Sequence, residues 1–259
     1  MTSREAQALA RLYDLDLGEP PDDVQLYLAL AARTGDPIVE VGVGTGRVAI
    51  SLATAGHRVV GIDLDRAMLE RAERAAAGAG GQVAERLELV EGDALQPRAT
   101  ERGRFRLAIL ALNTLLLFAE RARQERAVAA LAELAAPGGL VVVDTWQPQP
   151  EDLVRFDGRM SLEWLRTDPE TGATVTKIAA AWYEPATRTV VLTTIFEEGR
   201  PGEAPVRWTR TDRMRLAAAD ELVEWAERAG LEIEQLGGDH DLSPFASGSE
   251  RVVLVARRP

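Results

Sequence analysis

Three closely spaced glycines with acids on either side stand out in the stretch from residue 38 to residue 65, which reads IVEVGVGTGRVAISLATAGHRVVGIDLD. The glycines are Gly42, Gly44 and Gly46. They separate an apolar run from a segment of helical spacing, where glycine lets the backbone approach a ligand and the helix N-terminus presents free N–H groups. Glu40 precedes this loop and Asp63 follows it, so the pattern predicts a binding site for a nucleotide-like cofactor.

The spacing of the glycines bears on the class of cofactor. A dinucleotide-binding loop reads G-x-G-x-x-G, but its last glycine would fall on Arg47 in this chain. Asp63 would serve any ribose diol and does not separate the classes. Glu40 would repel a pyrophosphate and attract an ammonium group. S-adenosylmethionine carries an ammonium, a sulfonium, a ribose and an adenine but no phosphate, so this ligand fits the loop better.

The elements that position these residues are indicated by hydrophobic periodicity. Short apolar runs occupy 38–41, 58–62, 86–90, 106–111 and 140–143. Segments of helical spacing separate the runs, and this alternation is typical of βαβ units and a parallel sheet. Asp65 is expected to cap the helix that follows it.

Beyond Trp146 the sequence changes to strands rich in Thr, Val and aromatic residues, separated by turn-like segments. This pattern predicts an antiparallel insertion at 148–216, followed by a helix and two further strands. The predicted domains are an N-terminal helical cap at 1–36, a core at 37–147 with 217–259, and the insertion, interpreted as a substrate lid.

Four motifs follow one another between about 37 and 145: VEVGVGTG, GIDLD followed by AML, VEGDAL, and LAAPGGLVVVD. In order and spacing they resemble the motifs of class I S-adenosylmethionine-dependent methyltransferases. The resemblance implies an α/β fold with a Rossmann-like, mostly parallel seven-stranded sheet flanked by helices. With the β insertion after the fifth strand, the arrangement is similar to bacterial small-molecule N- and O-methyltransferases.

The resemblance also implies roles for the residues of these motifs. Glu40 would orient the glycine loop and the methionine ammonium, and Asp63 would accept both ribose hydroxyls. Leu64 and Met68 would pack on the adenine, although core packing alone is an alternative for Met68. The remaining implied contacts are Asp93 with the adenine amino group, Ala94 and Leu95 beside it, Ala111 and Asn113 at the methionine end, and Tyr13 closing over the cofactor. A turn role is the alternative for Asp93, and packing as an aromatic side chain is the alternative for Tyr13.

The sequence contains few candidates for a catalytic base. His240 lies in the loop that joins the last two strands, which predicts a place near the carboxyl end of the sheet. The neighbouring Asp239 and Asp241 would favour its protonated form, so a hydrogen bond within the loop is the alternative. His57 is interpreted as a solvated surface residue. Trp146 and Tyr183 are candidates for lining the acceptor pocket.

The composition of the chain limits the classes of partner that are expected. The formal net charge is −11, the sequence pI is about 4.9 and there is no cysteine. Such a surface repels a phosphate backbone, so nucleic acid is not expected to be a partner, and thiolate chemistry is excluded. No metal site is evident. The absence of a long apolar run and of a signal-like N-terminus predicts a cytoplasmic protein without a membrane partner.

The sequence therefore predicts an enzyme that uses S-adenosylmethionine to methylate a nitrogen or oxygen of a small-molecule acceptor. Two other functions stay open at this point: a nicotinamide-dependent oxidoreductase, and a non-catalytic S-adenosylmethionine-binding interaction module. The identity of the acceptor stays open, as does whether the chain acts as a monomer or as a homodimer.

Overall fold

Residues 2–18 and 23–259 are described by the computed structural model of this chain. The helices are α1 (Ser3–Leu17), α2 (Val24–Thr34), α3 (Arg47–Thr54), α4 (Arg66–Ala79), α5 (Gly81–Arg86), α6 (Arg121–Leu134), α7 (Pro150–Arg155) and α8 (Ala219–Arg228), with a 3₁₀ helix at Leu112–Phe118. The strands are β1 (Ile38–Val41), β2 (Val59–Asp63), β3 (Leu87–Glu91), β4 (Phe105–Leu110), β5 (Ala135–Trp146), β6 (Asp157–Thr167), β7 (Thr174–Glu184), β8 (Thr189–Gly199), β9 (Val206–Arg215), β10 (Glu232–Gly237) and β11 (Arg251–Arg257).

Contacts divide the described residues into two compact units. The larger unit comprises residues 23–147 and 217–259, and the smaller unit comprises residues 2–18 and 148–216. The divisions after Gln147 and after Leu216 coincide with the ends of the insertion expected from the sequence. The Nε2 group of Gln147 donates to the carbonyl oxygen of Ala217 at 2.7 Å, so the larger unit is closed where the insertion leaves and re-enters it.

The larger unit is built on a sheet of seven strands in the order β3-β2-β1-β4-β5-β11-β10. Strands β1 to β5 pair in parallel, whereas β11 pairs antiparallel with both β5 and β10. The prediction of an α/β fold with a mostly parallel seven-stranded sheet is therefore confirmed. Since β1 lies beside β2 and β4, the carboxyl ends of these three strands meet at one edge of the sheet, where ligands bind in such folds.

The core of the larger unit follows from the apolar runs of the sequence. The side chains of β1 are buried on both faces, and those of β4, β5 and β11 are buried along most of their lengths. Parallel strands covered by helices on both faces are expected to be apolar throughout. On α2, Tyr27, Leu30 and Ala31 belong to the same buried cluster as Ile38 and Leu107.

The smaller unit consists of an antiparallel sheet in the order β6-β7-β8-β9 together with α1 and α7. Leu9 and Leu12 of α1 pack with Val175 and Phe196 of the sheet. Polar contacts hold the same interface, because both Trp164 Nε1 and Lys177 Nζ donate to the Asp16 carboxylate at 2.8–2.9 Å. The α1 helix is thus an integral part of this unit.

The two N-terminal helices do not form the common cap at 1–36 that was expected. The apolar side of α1 is buried against the antiparallel sheet, and that of α2 is buried in the larger unit. Each helix follows the surface that covers its own apolar residues, which periodicity alone does not identify. None of the helices in the described part of the chain is long and apolar enough to cross a membrane.

Candidate active site

The glycine loop leaves β1 at the carboxyl edge of the sheet. Gly42 has φ +70°, and a Cβ there would lie 2.4 Å from Cγ2 of Thr114, so a larger residue cannot occupy the position without displacing the side chain of Thr114. Gly44 has φ +55°, but a Cβ there would meet nothing within 4 Å. The loop is therefore packed at Gly42 and borders open space at Gly44. Gly46 serves as the N-cap residue of α3.

Asp63 joins this loop to the end of β2. Its Oδ2 accepts the N–H of Gly44 at 2.8 Å, and its Oδ1 accepts the N–H of Asp65 at 2.9 Å. Each carboxylate oxygen has two lone-pair directions, so both keep capacity for one further donor. The Oδ1 of Asp65 accepts the N–H of Ala67 at 2.9 Å, which confirms Asp65 as the helix cap. The two acids thus have different structural roles.

Glu40 is a buried acid at the end of β1 with an unusual environment. Its side chain lies 3% exposed, and its Oε2 has no hydrogen-bond partner among the described residues. Burial raises its pKa from 4.5 to about 8, and the charges of Asp23 and Asp63 act in the same direction. Arg47 and a backbone hydrogen bond from Ala49 lower the pKa only in part. An orphan buried carboxylate oxygen is costly, and a cationic ligand would satisfy it.

The residues expected to hold the adenine follow β2 and β3. Leu64 is 63% exposed, as a side chain covered only by a ligand would be, whereas Met68 is buried in the protein. The Oδ1 of Asp93 accepts the N–H of Leu95 at 2.9 Å, and Oδ2 accepts from Gln96 Nε2 at 3.2 Å. A small cleft beside Asp93 is lined by Ala94 and other residues. Leu95 is buried, so its side chain supports the loop.

The junction expected for the methionine end lies after β4. Ala111 is buried, and it precedes the 3₁₀ helix that contains Asn113. The Oδ1 of Asn113 accepts the N–H of Trp146 at 2.8 Å and so joins the ends of β4 and β5. Trp146 is half-buried at this edge. The side chain of Asn113 is therefore already engaged in holding the edge together.

His240 lies in the loop between β10 and β11 but is not free in solvent. Its Nε2 lies 3.1 Å from Oδ2 of Asp144, a fully buried residue near the end of β5. The other oxygen of Asp144 accepts from Nε and Nη2 of Arg251 at 2.9 and 2.6 Å. The hydroxyl of Tyr27 also donates to Oδ2 of Asp144, at 3.3 Å. These side chains form a polar cluster at the same edge as the glycine loop.

The partners of His240 were not predicted from the sequence. Asp144 ends the apolar run LVVV and Arg251 begins the run RVVLVA. A charged residue at the end of a run that is otherwise buried was the available signal. Pairing β5 with β11 in antiparallel register places the two residues within reach of each other, and that register is not readable from a single sequence.

A second carboxylate extends the cluster. Asp23 is fully buried and pairs with both terminal nitrogens of Arg47, with Nη2 2.6 Å from Oδ2. Ligand atoms of Asp23, Asp144 and His240 lie within 4.8 Å of one another, which a metal ion could bridge. Each carboxylate is already balanced by an arginine, however, so a cation would have to displace an ion pair.

Tyr13 and Tyr183 belong to the smaller unit, on α1 and β7 respectively. The other residues implied by the motifs lie in the larger unit, at or near the carboxyl ends of β1, β2, β3, β4 and β5. The expectation that His57 is a solvated surface residue is wrong. Its side chain is 20% exposed, and its Nδ1 lies 2.8 Å from Oδ1 of Asp36.

Known proteins resemble this chain in sequence and in fold. Residues 38–139 match the family model of a methyltransferase domain. The chain is 25% identical over 224 residues to the cypemycin N-terminal methyltransferase of Streptomyces sp, covering 86% of this chain and 84% of that protein.

Two solved structures extend the likeness. The CcbJ methyltransferase from Streptomyces caelestis is 27% identical with a TM-score of 0.78, covering 93% of this chain and 98% of that one. CalS10, an amino pentose methyltransferase from Micromonospora echinaspora solved with bound S-adenosylmethionine, is 21% identical with a TM-score of 0.70. The match covers 96% of this chain and 97% of that one.

Proposed function

We propose that this chain, a class I S-adenosylmethionine-dependent methyltransferase, transfers a methyl group to a nitrogen or an oxygen of a small-molecule acceptor. The observation that carries this proposal is the orphan carboxylate oxygen of Glu40, buried at the strand end that precedes the glycine loop. A ligand with an ammonium group satisfies that oxygen, and a phosphate does not. S-adenosylmethionine has such an ammonium.

The cofactor is held by residues from three strand ends. Glu40 binds the ammonium, and the open space at Gly44 admits the methionine moiety. Asp63 accepts hydrogen bonds from the ribose hydroxyls with its remaining lone pairs, and the adenine ring covers the exposed side chain of Leu64. Asp93 accepts from the adenine amino group.

Methyl transfer mainly requires that the acceptor be aligned with the methyl group. S-adenosylmethionine supplies a methyl group that its sulfonium has already activated. The chain has to hold the acceptor in line with that methyl and to keep water away, and such positioning contributes about 7–11 kcal/mol in well-oriented reactions. His240 is the group at this edge of the sheet that can receive a proton from the acceptor.

An amine is the first candidate for the acceptor. A relative that aligns with 86% of this chain is named for methylation of an N-terminus, and an amine that has lost its proton needs little further activation. A hydroxyl is the second candidate because His240 lies at the carboxyl edge of the sheet, where a base could assist. The acidic surface disfavours a nucleic acid in either case.

The insertion is the part of the chain that we assign to acceptor selection. Its strand β7 carries Tyr183 and the exposed Trp182, and such aromatic side chains are suited to bind an apolar or sugar-like acceptor. Tyr13 on α1 belongs to the same unit. In this division of labour the larger unit binds the cofactor and the smaller unit selects what is methylated.

The function is tested with a panel of small acceptors. Glucosamine and dialanine represent amines, catechol represents hydroxyls and malonate represents acids, each incubated with the purified chain and S-adenosylmethionine. We expect release of S-adenosylhomocysteine above the acceptor-free rate with at least one amine or hydroxyl. Binding of S-adenosylhomocysteine without transfer to the panel or to a low-molecular-weight cell extract would instead support the non-catalytic binding module.

A further inference from the structure

Asp144 and His240 form a hydrogen-bonded pair at the carboxyl edge of the sheet. Oδ2 of Asp144 faces Nε2 of His240 at 3.1 Å and the Tyr27 hydroxyl at 3.3 Å, and Oδ1 is occupied by the Arg251 guanidinium. Asp144 is fully buried and only 14% of the His240 side chain is exposed. The pair is therefore preorganised within the protein.

Asp144 is ionised in this setting. Burial raises its pKa, but the hydrogen bond from His240 and the charge of Arg251 outweigh burial, so the pKa lies below its ordinary value. An ionised carboxylate only accepts hydrogen bonds, and therefore Nε2 of His240 has to carry the hydrogen that joins the two groups. In the neutral imidazole the lone pair then lies on Nδ1.

The Nδ1 atom of His240 has no hydrogen-bond partner among residues 2–18 and 23–259. Its nearest charged atom is Oδ1 of Asp239 at 3.9 Å, and that oxygen accepts the backbone N–H of His240 instead. Oδ1 of Asp241 accepts the backbone N–H of Ser243 at 2.8 Å. Both flanking acids are thus used by the loop, and the lone pair of Nδ1 is left available at the edge of the sheet.

We propose that Asp144 is a positioning residue that holds His240 in the tautomer protonated on Nε2, so that Nδ1 receives the proton leaving the acceptor. This inference rests on the proposed function. As the bond from the acceptor nitrogen or oxygen to the methyl carbon forms, the carbon–sulfur bond breaks and its electron pair stays on sulfur. The proton passes to Nδ1, and Asp144 stabilises the resulting imidazolium.

The same unit contains a matched control. The chain has two histidines, and the other, His57, pairs with Asp36 through Nδ1 at 2.8 Å. His57 precedes β2, at the amino edge of the sheet and away from the glycine loop. The two aspartate–histidine pairs therefore engage opposite ring nitrogens, and only one of them lies where the acceptor binds.

The first test reads the tautomers directly. Long-range ¹H–¹⁵N spectra of the full chain labelled in histidine, recorded at alkaline pH, should show His240 protonated on Nε2 and His57 protonated on Nδ1. His240→Ala assigns the two sets of signals. A wild-type His240 protonated on Nδ1 would overturn the proposal without bearing on methyl transfer.

Asp144→Asn supplies a sharper form of this test. Arg251 donates to the oxygen on its side, so the new amide has to turn its NH₂ group toward Nε2 of His240. That nitrogen then becomes an acceptor, and the hydrogen moves to Nδ1. We expect the His240 signals to change to the other tautomer and those of His57 to stay. An unchanged His240 tautomer in the folded variant would contradict the inference.

The second test is kinetic and uses the panel acceptor with the highest turnover, at pH values where its own group still holds the proton. His240→Ala should lower kcat by about 10²–10⁴-fold, with partial rescue by added imidazole. Asp144→Asn should lower kcat comparably, and the double variant no further than His240→Ala alone. Asp36→Asn, the control, should leave kcat unchanged.

The outcomes separate this inference from the proposed function. Full turnover by folded Asp144→Asn and His240→Ala would overturn the positioning role and leave the methyltransferase intact. A wild-type chain that transfers no methyl group would overturn the proposed function. If Asp144→Asn fails to fold, the tautomer of wild-type His240 and the imidazole rescue of His240→Ala still decide the question.

Discussion

The backbone N–H of Gly44 donates a hydrogen bond of 2.8 Å to Oδ2 of Asp63. The acid expected to bind the ribose therefore also fastens the glycine loop to the end of β2. Its other oxygen accepts the N–H of Asp65, so removing the carboxylate releases two backbone donors. A loss of affinity in an Asp63 variant consequently has two sources, the ribose contact and the loop, which a single substitution does not separate.

Asp63→Ala should weaken binding of S-adenosylhomocysteine by about 1.5–3 kcal/mol, because a charged acceptor for the ribose is lost. The ribose part is isolated by repeating calorimetry with a ligand that lacks the 2′-hydroxyl. Wild type should bind the modified ligand less tightly than the natural one, whereas Asp63→Ala should bind the two ligands with the same affinity. An equal penalty for the modified ligand in both proteins would assign Asp63 to the loop alone.

Asp65→Ala is expected to act on stability and not on the cofactor. Asp65 caps α4 through the N–H of Ala67, and removal of such a cap costs about 0.5–2 kcal/mol. Denaturant unfolding should therefore show a lower midpoint, with the affinity for S-adenosylhomocysteine retained. A variant with normal stability and weakened binding would reverse the roles of the two acids.

Glu40→Gln should make the ligand-free protein more stable at alkaline pH. The pKa of Glu40 is raised from 4.5 to about 8 in the folded chain, so the folded state holds a proton that the unfolded state loses between these values. The stabilising contribution of the protonated group is full below about 4.5 and is lost as the pH rises through about 8. Glutamine is neutral at every pH. The gain in stability of Glu40→Gln over wild type should therefore grow between about pH 4.5 and about pH 8 and vanish at lower pH.

Scanning calorimetry measures this trend, and each kcal/mol corresponds to about 2–4 °C for a chain of this size. The same variant should bind S-adenosylhomocysteine more weakly, since the ammonium loses its anionic partner. Wild-type Glu40 should release a proton on binding near neutral pH, which titrations in two buffers of different ionisation enthalpy detect. Equal proton release by Glu40→Gln would show that another group responds to the ligand.

A chain without the smaller unit tests the assignment of acceptor selection to that unit. Gln147 and Ala217 are joined by a hydrogen bond, so a short linker can replace 148–216. Residues 1–18 should be removed as well, because α1 buries Leu9 and Leu12 against the deleted sheet. The shortened chain should bind S-adenosylhomocysteine with little loss and should transfer no methyl group. Loss of binding by a folded shortened chain would contradict this division of labour.

The sequence predicts the fold well because its signals are local. Short runs that are β-branched or leucine-rich specify β1 to β5, and Asp65 specifies the start of α4. The placement of α1 was not predictable, because an apolar helix face shows that the helix is covered but not which surface covers it. Only the folded chain brings Leu9 and Leu12 onto Val175 and Phe196.

The candidate site is predicted in part for the same reason. The loop, Glu40 and Asp63 lie within one continuous motif, so their proximity follows from a single strand–loop–helix unit. His240 and its partner Asp144 are 96 residues apart along the chain, and Asp144 and its partner Tyr27 are 117 residues apart. Such contacts depend on strand order and register, which neither composition nor periodicity contains.

Calorimetric titration of the wild-type chain with S-adenosylhomocysteine, and separately with NAD, tests the central claim most directly. The orphan oxygen of Glu40 and the ribose acceptor Asp63 predict saturable binding of S-adenosylhomocysteine at one site per chain, with no measurable binding of NAD. A folded chain that fails to bind S-adenosylhomocysteine, or that binds NAD at least as tightly, would contradict the account.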